Sequence, residues 1–145
     1  MANRNFNGAQ INQSATISEQ AGAAIEDCRN RFMAYDGDGN IVLAGSGTKP
    51  IVGIALIESG MNDISGKDSG SVKKGDDVDI QIRGIGYVLA DGDIEKGAEV
   101  TSGAGGVAAA AAEGDYVAGI ALSAARKDEY CRVQIAKYQK NEAKA

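Results

Sequence analysis

Asp36-Gly37-Asp38-Gly39-Asn40 comes closest to a chemical motif in this 145-residue chain, because it opens D-x-D-x-N like the first half of a calcium-binding loop. Such a loop needs glycine at its sixth position and glutamate at its twelfth, where Ile41 and Gly47 stand instead. A tight hairpin turn explains the same glycines and asparagine. Gly45-Ser46-Gly47-Thr48-Lys49 and Gly70-Ser71-Val72-Lys73-Lys74-Gly75 set glycines beside lysines as phosphate loops do. Neither has the spacing of a phosphate-binding or dinucleotide fingerprint, and neither opens a recognisable helix, so both read as loops. The carboxylate pairs Asp76-Asp77 and Asp91 with Asp93 invite comparison with a glycosidase acid and base, but exposed turn charges account for them more simply.

The chain has no histidine, which removes Ser-His and Cys-His nucleophiles and the commonest metal ligand. Of the two cysteines, Cys131 sits on the core face of an alternating segment, where a thiol behaves as a small hydrophobe. Cys28 lies among charged residues and is expected to be more exposed. No lysine stands at the apex of a repeated hairpin, as a swinging carrier domain requires, and there is no tryptophan to form a carbohydrate platform. The residues therefore point to no catalytic group, no cofactor and no metal.

Fifteen basic against twenty acidic residues give a net charge of -5, with no compensating basic stripe, so neither nucleic acid nor an anionic membrane is an expected partner. Met1 to Ala9 lacks the pattern of a secretory signal, and no apolar run approaches the ~18 residues of a membrane span. Both thiols are then expected to be reduced. Twenty glycines against one proline, with only seven aromatics, suggest a glycine-rich β domain.

The elements that would carry these residues come in two copies. Gly53-Ile54-Ala55-Leu56 recurs as Gly119-Ile120-Ala121-Leu122. Without a gap, the same offset carries Gly37 onto Gly103, Gly39 onto Gly105 and Ile41 onto Val107. Val78-Asp79-Ile80-Gln81-Ile82 answers to Cys131-Arg132-Val133-Gln134-Ile135 at an offset shorter by 13, which assigns an insertion to the Gly/Ser/Asp/Lys-rich stretch from Glu58 to Asp77, expected as an exposed loop. Upstream, Ile25 answers to Ile94. Copies at about 25–82 and 94–135 are too short to bury much core alone, so one domain over 14–136 is expected.

Both alternating segments read as half-buried strands. The five alanines Ala108 to Ala112 favour helix intrinsically, but their counterparts run from Val42 to Ser46 after a glycine-rich turn, so both stretches are read as strands. The fold expected is all-β, a compact β-barrel or β-sandwich of two related glycine-rich units. Residues 1–13, rich in asparagine and glutamine with Phe6 and Ile11 as large apolar anchors, are expected to form an extended arm. Residues 137–145 are read as a polar tail.

The second copy, from Ala90-Asp91-Gly92-Asp93-Ile94 through Gly97, Val100, the turn at Gly103 to Gly106, Gly119 to Leu122 and closing at Val133 and Ile135, resembles the capsid decoration or cement proteins of tailed bacteriophages. That resemblance implies a structural virion protein on the outer surface of a phage head, assembled in the host cytoplasm, that stabilises the shell. Its partners would be the major capsid protein and further copies of itself, a trimer being favoured. Asn5, Phe6, Asn7 and Ile11 would make shell or inter-subunit contacts, by strand addition to an exposed edge. The alternatives are another phage structural β-protein, such as a head-fibre base or tail component, and more remotely a small-ligand or carrier domain.

Overall fold

The computed structural model describes residues 14–61, 64–65 and 69–141. The first sheet holds β1 (Thr16–Gln20), β2 (Phe32–Tyr35), β3 (Ile41–Leu43), β4 (Gly53–Ala55) and β5 (Asp77–Gln81). The second holds β6 (Ile85–Leu89), β7 (Glu99–Ser102), β8 (Ala108–Ala110), β9 (Tyr116–Ala121) and β10 (Tyr130–Gln139). Their strand orders are β1-β5-β4-β2-β3 and β6-β10-β9-β7-β8, so the second sheet repeats the first strand for strand. The chain is all-β, two five-stranded antiparallel sheets in a sandwich-like arrangement.

Register repeats as well as order. Ile54 lies opposite Gln81 and Ala55 opposite Ile80, just as Ile120 lies opposite Gln134 and Ala121 opposite Val133. Each sheet curls until the residue after its first strand bridges its third strand: Ala21 with Ile41, and Ala90 with Ala108. Gly22 N donates to Ile41 O and Asp91 N to Ala108 O, so the closures use the same backbone groups. Ile25 bridges Val72 where Ile94 bridges Ala125.

In the hairpins the gapless sequence pairing is one residue off. Met33 lies opposite Leu43 and Val100 opposite Ala110, which makes Ala108, not Val107, the counterpart of Ile41. Asp36 and Gly39 then answer to Gly103 and Gly106, and the turn bonds agree: Gly39 N donates to Asp36 O at 3.3 Å and Gly106 N to Gly103 O at 3.2 Å. The second unit is one residue shorter between the hairpin and the Gly-Ile-Ala-Leu strand. At this junction the units have exchanged residue types. A Cβ on Gly22 would lie 2.2 Å from the Asp36 carboxylate, whereas in the second unit the carboxylate belongs to Asp91 and the glycine is Gly103.

Inside each curled sheet eight core positions of the first unit have counterparts in the second. Ala21, Ile25, Met33 and Ile41 are buried in the first unit where Ala90, Ile94, Val100 and Ala108 are buried in the second. Ala55, Val72, Val78 and Ile80 correspond likewise to Ala121, Ala125, Cys131 and Val133. Burial of Ala108 and a complete ladder to β7 hold Ala108–Ala110 as a strand against alanine's helical preference.

The units are fastened together through Phe32, Ala34, Ala44, Ile51 and Ile54, which leave the first core and join the second. Backbone bonds reinforce this contact, from Phe32 N to Gly106 O at 2.7 Å, Leu89 N to Asn30 O at 3.1 Å and Tyr116 N to Gly47 O at 2.8 Å. Gly106 takes φ 77°, and a Cβ there would come 2.5 Å from Phe32 O, so glycine is required twice over.

Three local expectations change. Cys28 is fully buried, its N–H bonded to Gly70 O, because the insertion folds back over it. The insertion is anchored at both ends: Ser59 is buried and donates its hydroxyl to Asp79 O at 2.7 Å, and Val72 is a core residue. Between these anchors Met61 and Ile64 are exposed, and so are Lys73 to Asp77 after them, as the sequence suggests. Finally, β10 continues through Gln139, into the stretch read as a polar tail. A bulge between Ile135 and Tyr138 restores pairing with β9, Tyr138 opposite Val117 and Gln139 opposite Tyr116.

Candidate interaction surface

The residues that suggested chemistry are occupied by turns. Asp36 Oδ1 accepts from Asp38 N at 2.9 Å and Asn40 N at 3.0 Å, which caps the β2–β3 hairpin. Asp76 Oδ2 accepts from Lys73 N at 2.9 Å in another turn. Among the described residues no group of three or more His, Cys, Asp or Glu side chains is placed to hold a metal ion. Cys28 and Cys131 are separate buried thiols; burial, with the Asp27 charge second, pushes Cys28 to about 11, and burial also raises Cys131. A thiol so protonated is a poor nucleophile. Arg29 forks onto Asp27, Nε to Oδ1 and Nη2 to Oδ2 both at 2.9 Å, and those hydrogen bonds hold the carboxyl below its ordinary range.

Two apolar features stand out on the surface. The first is a groove of about 450 Å³ where the units meet. Ile54, Leu56 and Ile57 form one wall, and Ile85, Tyr87 and Tyr130 the other. Ile57 is 66% exposed, Tyr130 56%, and Ile85 and Tyr87 52% each, so four large side chains share one exposed patch. Strand β6 produces it by alternation: Gly86 and Val88 turn inward while Ile85 and Tyr87 turn out. A Cβ on Gly86 would lie 2.8 Å from Ile54 Cδ1, so a larger residue there has to displace the end of that side chain. The edge carbonyls of β6 are already taken, Tyr87 O by Asn30 Nδ2 at 3.0 Å and Ile85 O by Gln81 Nε2 at 2.8 Å. Side chains are available there, and those two carbonyls are not.

The second feature gathers Tyr116 and Tyr138 with Pro50, Ile51 and Lys137, and Tyr35 and Lys49 continue it. Tyr138 donates to Glu99 Oε2 at 2.7 Å, and Lys140 Nζ lies 3.3 Å from Glu99 Oε1. The Glu99 hydrogen bond is the main cause that raises Tyr138 to about 12, and the same bond lowers Glu99. Tyr35 donates to Glu19 Oε1 at 2.9 Å, and burial followed by that bond raises its hydroxyl. Burial lowers Lys137.

Asn5, Phe6, Asn7 and Ile11 lie outside the described residues. Sequence reasoning missed Ile57, Ile85, Tyr87 and Tyr130. The signal was there in Ile85-Gly86-Tyr87-Val88-Leu89, which alternates small or core-sized residues with large ones on the opposite face.

The sequence matches no protein-family model and no curated protein. The fold, however, matches a crystal structure. It is similar to the N base of the head fibre gp8.5 of bacteriophage phi29, with a TM-score of 0.59 at 19% identity. The match covers 88% of this chain and 98% of the fibre base. The likeness thus extends over nearly the whole of both chains, and it lies in the fold.

Proposed function

We propose that this chain is a structural protein of a tailed-phage head, and that it works as a head-fibre base rather than as a general cement of the shell. One observation carries the reading: the fold likeness to the phi29 fibre base spans nearly all of both chains, so the resemblance is to a whole base module. The surface agrees with it, since the conspicuous features are apolar and tyrosine-rich contact faces and the carboxylates serve turns. On this reading the major capsid protein is the partner, the location is the outside of the head, and copies associate around a local symmetry axis, a trimer being favoured. Repeated contacts would add through multivalency.

The test is immunogold labelling of whole particles, together with co-sedimentation of the purified chain with heads stripped of surface proteins. Label at discrete, sparse positions on the head, with binding to stripped heads, is the expected result. Label over the entire shell lattice would return the cement reading. Label on the tail alone, or no binding to heads, would overturn a head role.

A further inference from the structure

We propose that the groove between the units seats the chain's own N-terminal segment, with Ile11 and Phe6 as the side chains that fill it. Ile57, Ile85, Tyr87 and Tyr130 leave a contiguous apolar surface at the junction of the two cores, of a kind that proteins in water generally cover. Thr16 is paired with Gln81, a lining residue of this groove, and Ala15 O accepts from Ile82 N at 2.8 Å, so the described chain begins within two residues of that pair.

Reach is ample, since an extended chain covers about 3.3 Å per residue, which places Ile11 within roughly 10 Å of Ser14 and Phe6 within roughly 27 Å. Composition fits too. After Met1, residues 1–13 carry two large apolar side chains, Phe6 and Ile11, among asparagines and glutamines. Strand addition is disfavoured because Asn30 and Gln81 already occupy the carbonyls of Tyr87 and Ile85, which leaves insertion of side chains. Attachment in the same chain makes the local concentration millimolar or higher for a short tether, well above that of any free partner. Phe6 and Ile11, expected from sequence to touch the shell or a neighbouring subunit, are on this view internal anchors.

The proposal needs no phage head for its test and so stands or falls apart from the proposed function. The full chain is prepared with Ile11→Cys and Ile57→Cys, and separately with Phe6→Cys and Tyr130→Cys, and oxidised at high dilution. Cys28 and Cys131 are fully buried and do not compete. Loss of two hydrogens by intact mass in a monomer, in either pair, is expected. Disulfide-linked dimers would assign the groove to a second copy, and free thiols in both pairs would remove the segment from the groove; either overturns the proposal. A variant without new cysteines, Phe6→Ala with Ile11→Ala, is expected to increase iodide quenching of tyrosine fluorescence, and unchanged quenching would count against the seat.

Discussion

Phe32 and Glu99 occupy the same position in their two sheets, each opposite the isoleucine of a Gly-Ile-Ala-Leu copy: Phe32 opposite Ile54, Glu99 opposite Ile120. The aromatic ring is buried between the units, and the carboxylate is held by Tyr138 and Lys140. One position thus joins the units in the first copy and closes off a face in the second. Truncating Phe32 to alanine should cost about 3–5 kcal/mol of stability. Glu99→Ala should cost far less, because a half-exposed ion pair contributes little. Denaturant titration of both variants, with unchanged slope, checks the contrast.

The Tyr138–Glu99 bond should show in the alkaline limb of stability. Tyr138 titrates at about 12 in the folded chain against an ordinary value near 10, so its contribution is full below the unfolded value and is lost as pH rises through the folded one. Tyr138→Phe should flatten the fall of melting temperature between those two values. Glu99 and Asp27 have lowered values, so their contributions hold above the unfolded carboxylate values and vanish as pH falls through the folded ones. Arg29→Gln should accordingly weaken the acid-side dependence.

Gly39 and Gly106 stand at the same turn position with nearly the same φ, 81° and 77°. A Cβ on Gly39 meets open space, while one on Gly106 meets the Phe32 backbone. Gly39→Ala should cost about 1–2 kcal/mol for the left-handed conformation alone. Gly106→Ala should cost distinctly more and loosen the contact between the units. Equal losses in thermal denaturation would mean that the Phe32 contact adds nothing.

Native protein should leave Cys28 and Cys131 unreactive toward a thiol reagent at neutral pH, and both should react once the chain unfolds. Labelling rates followed across a denaturant series measure this. Earlier reaction of Cys28 would indicate that the insertion over it opens before the rest.

Much of this architecture was legible because duplication supplies a second reading of every ambiguous stretch. Val78 to Ile82 and Cys131 to Ile135 alternate in the same phase, and the alanine run could be read as a strand only beside its counterpart. What was not legible depended on contacts distant in sequence. The one-residue difference between hairpin and strand is invisible where glycine and alanine align equally well in either register. Cys28 looked exposed among its charged neighbours, yet Gly70 and Val72, more than forty residues away in sequence, fold back against the segment that holds it. The groove needed both units in place before Ile57 of the first faced Tyr87 and Tyr130 of the second.

The exchange between Gly22 with Asp36 and Asp91 with Gly103 bears on how freely the two halves can trade sequence. Each junction holds one carboxylate, supplied from opposite sides. A recombinant that copied the first hairpin onto the second would set an aspartate at position 103 against Asp91, two like charges where there is space for one side chain. Drift since the duplication has therefore made the halves mutually incompatible in their parts: similar in outline, they are no longer spare copies of one another.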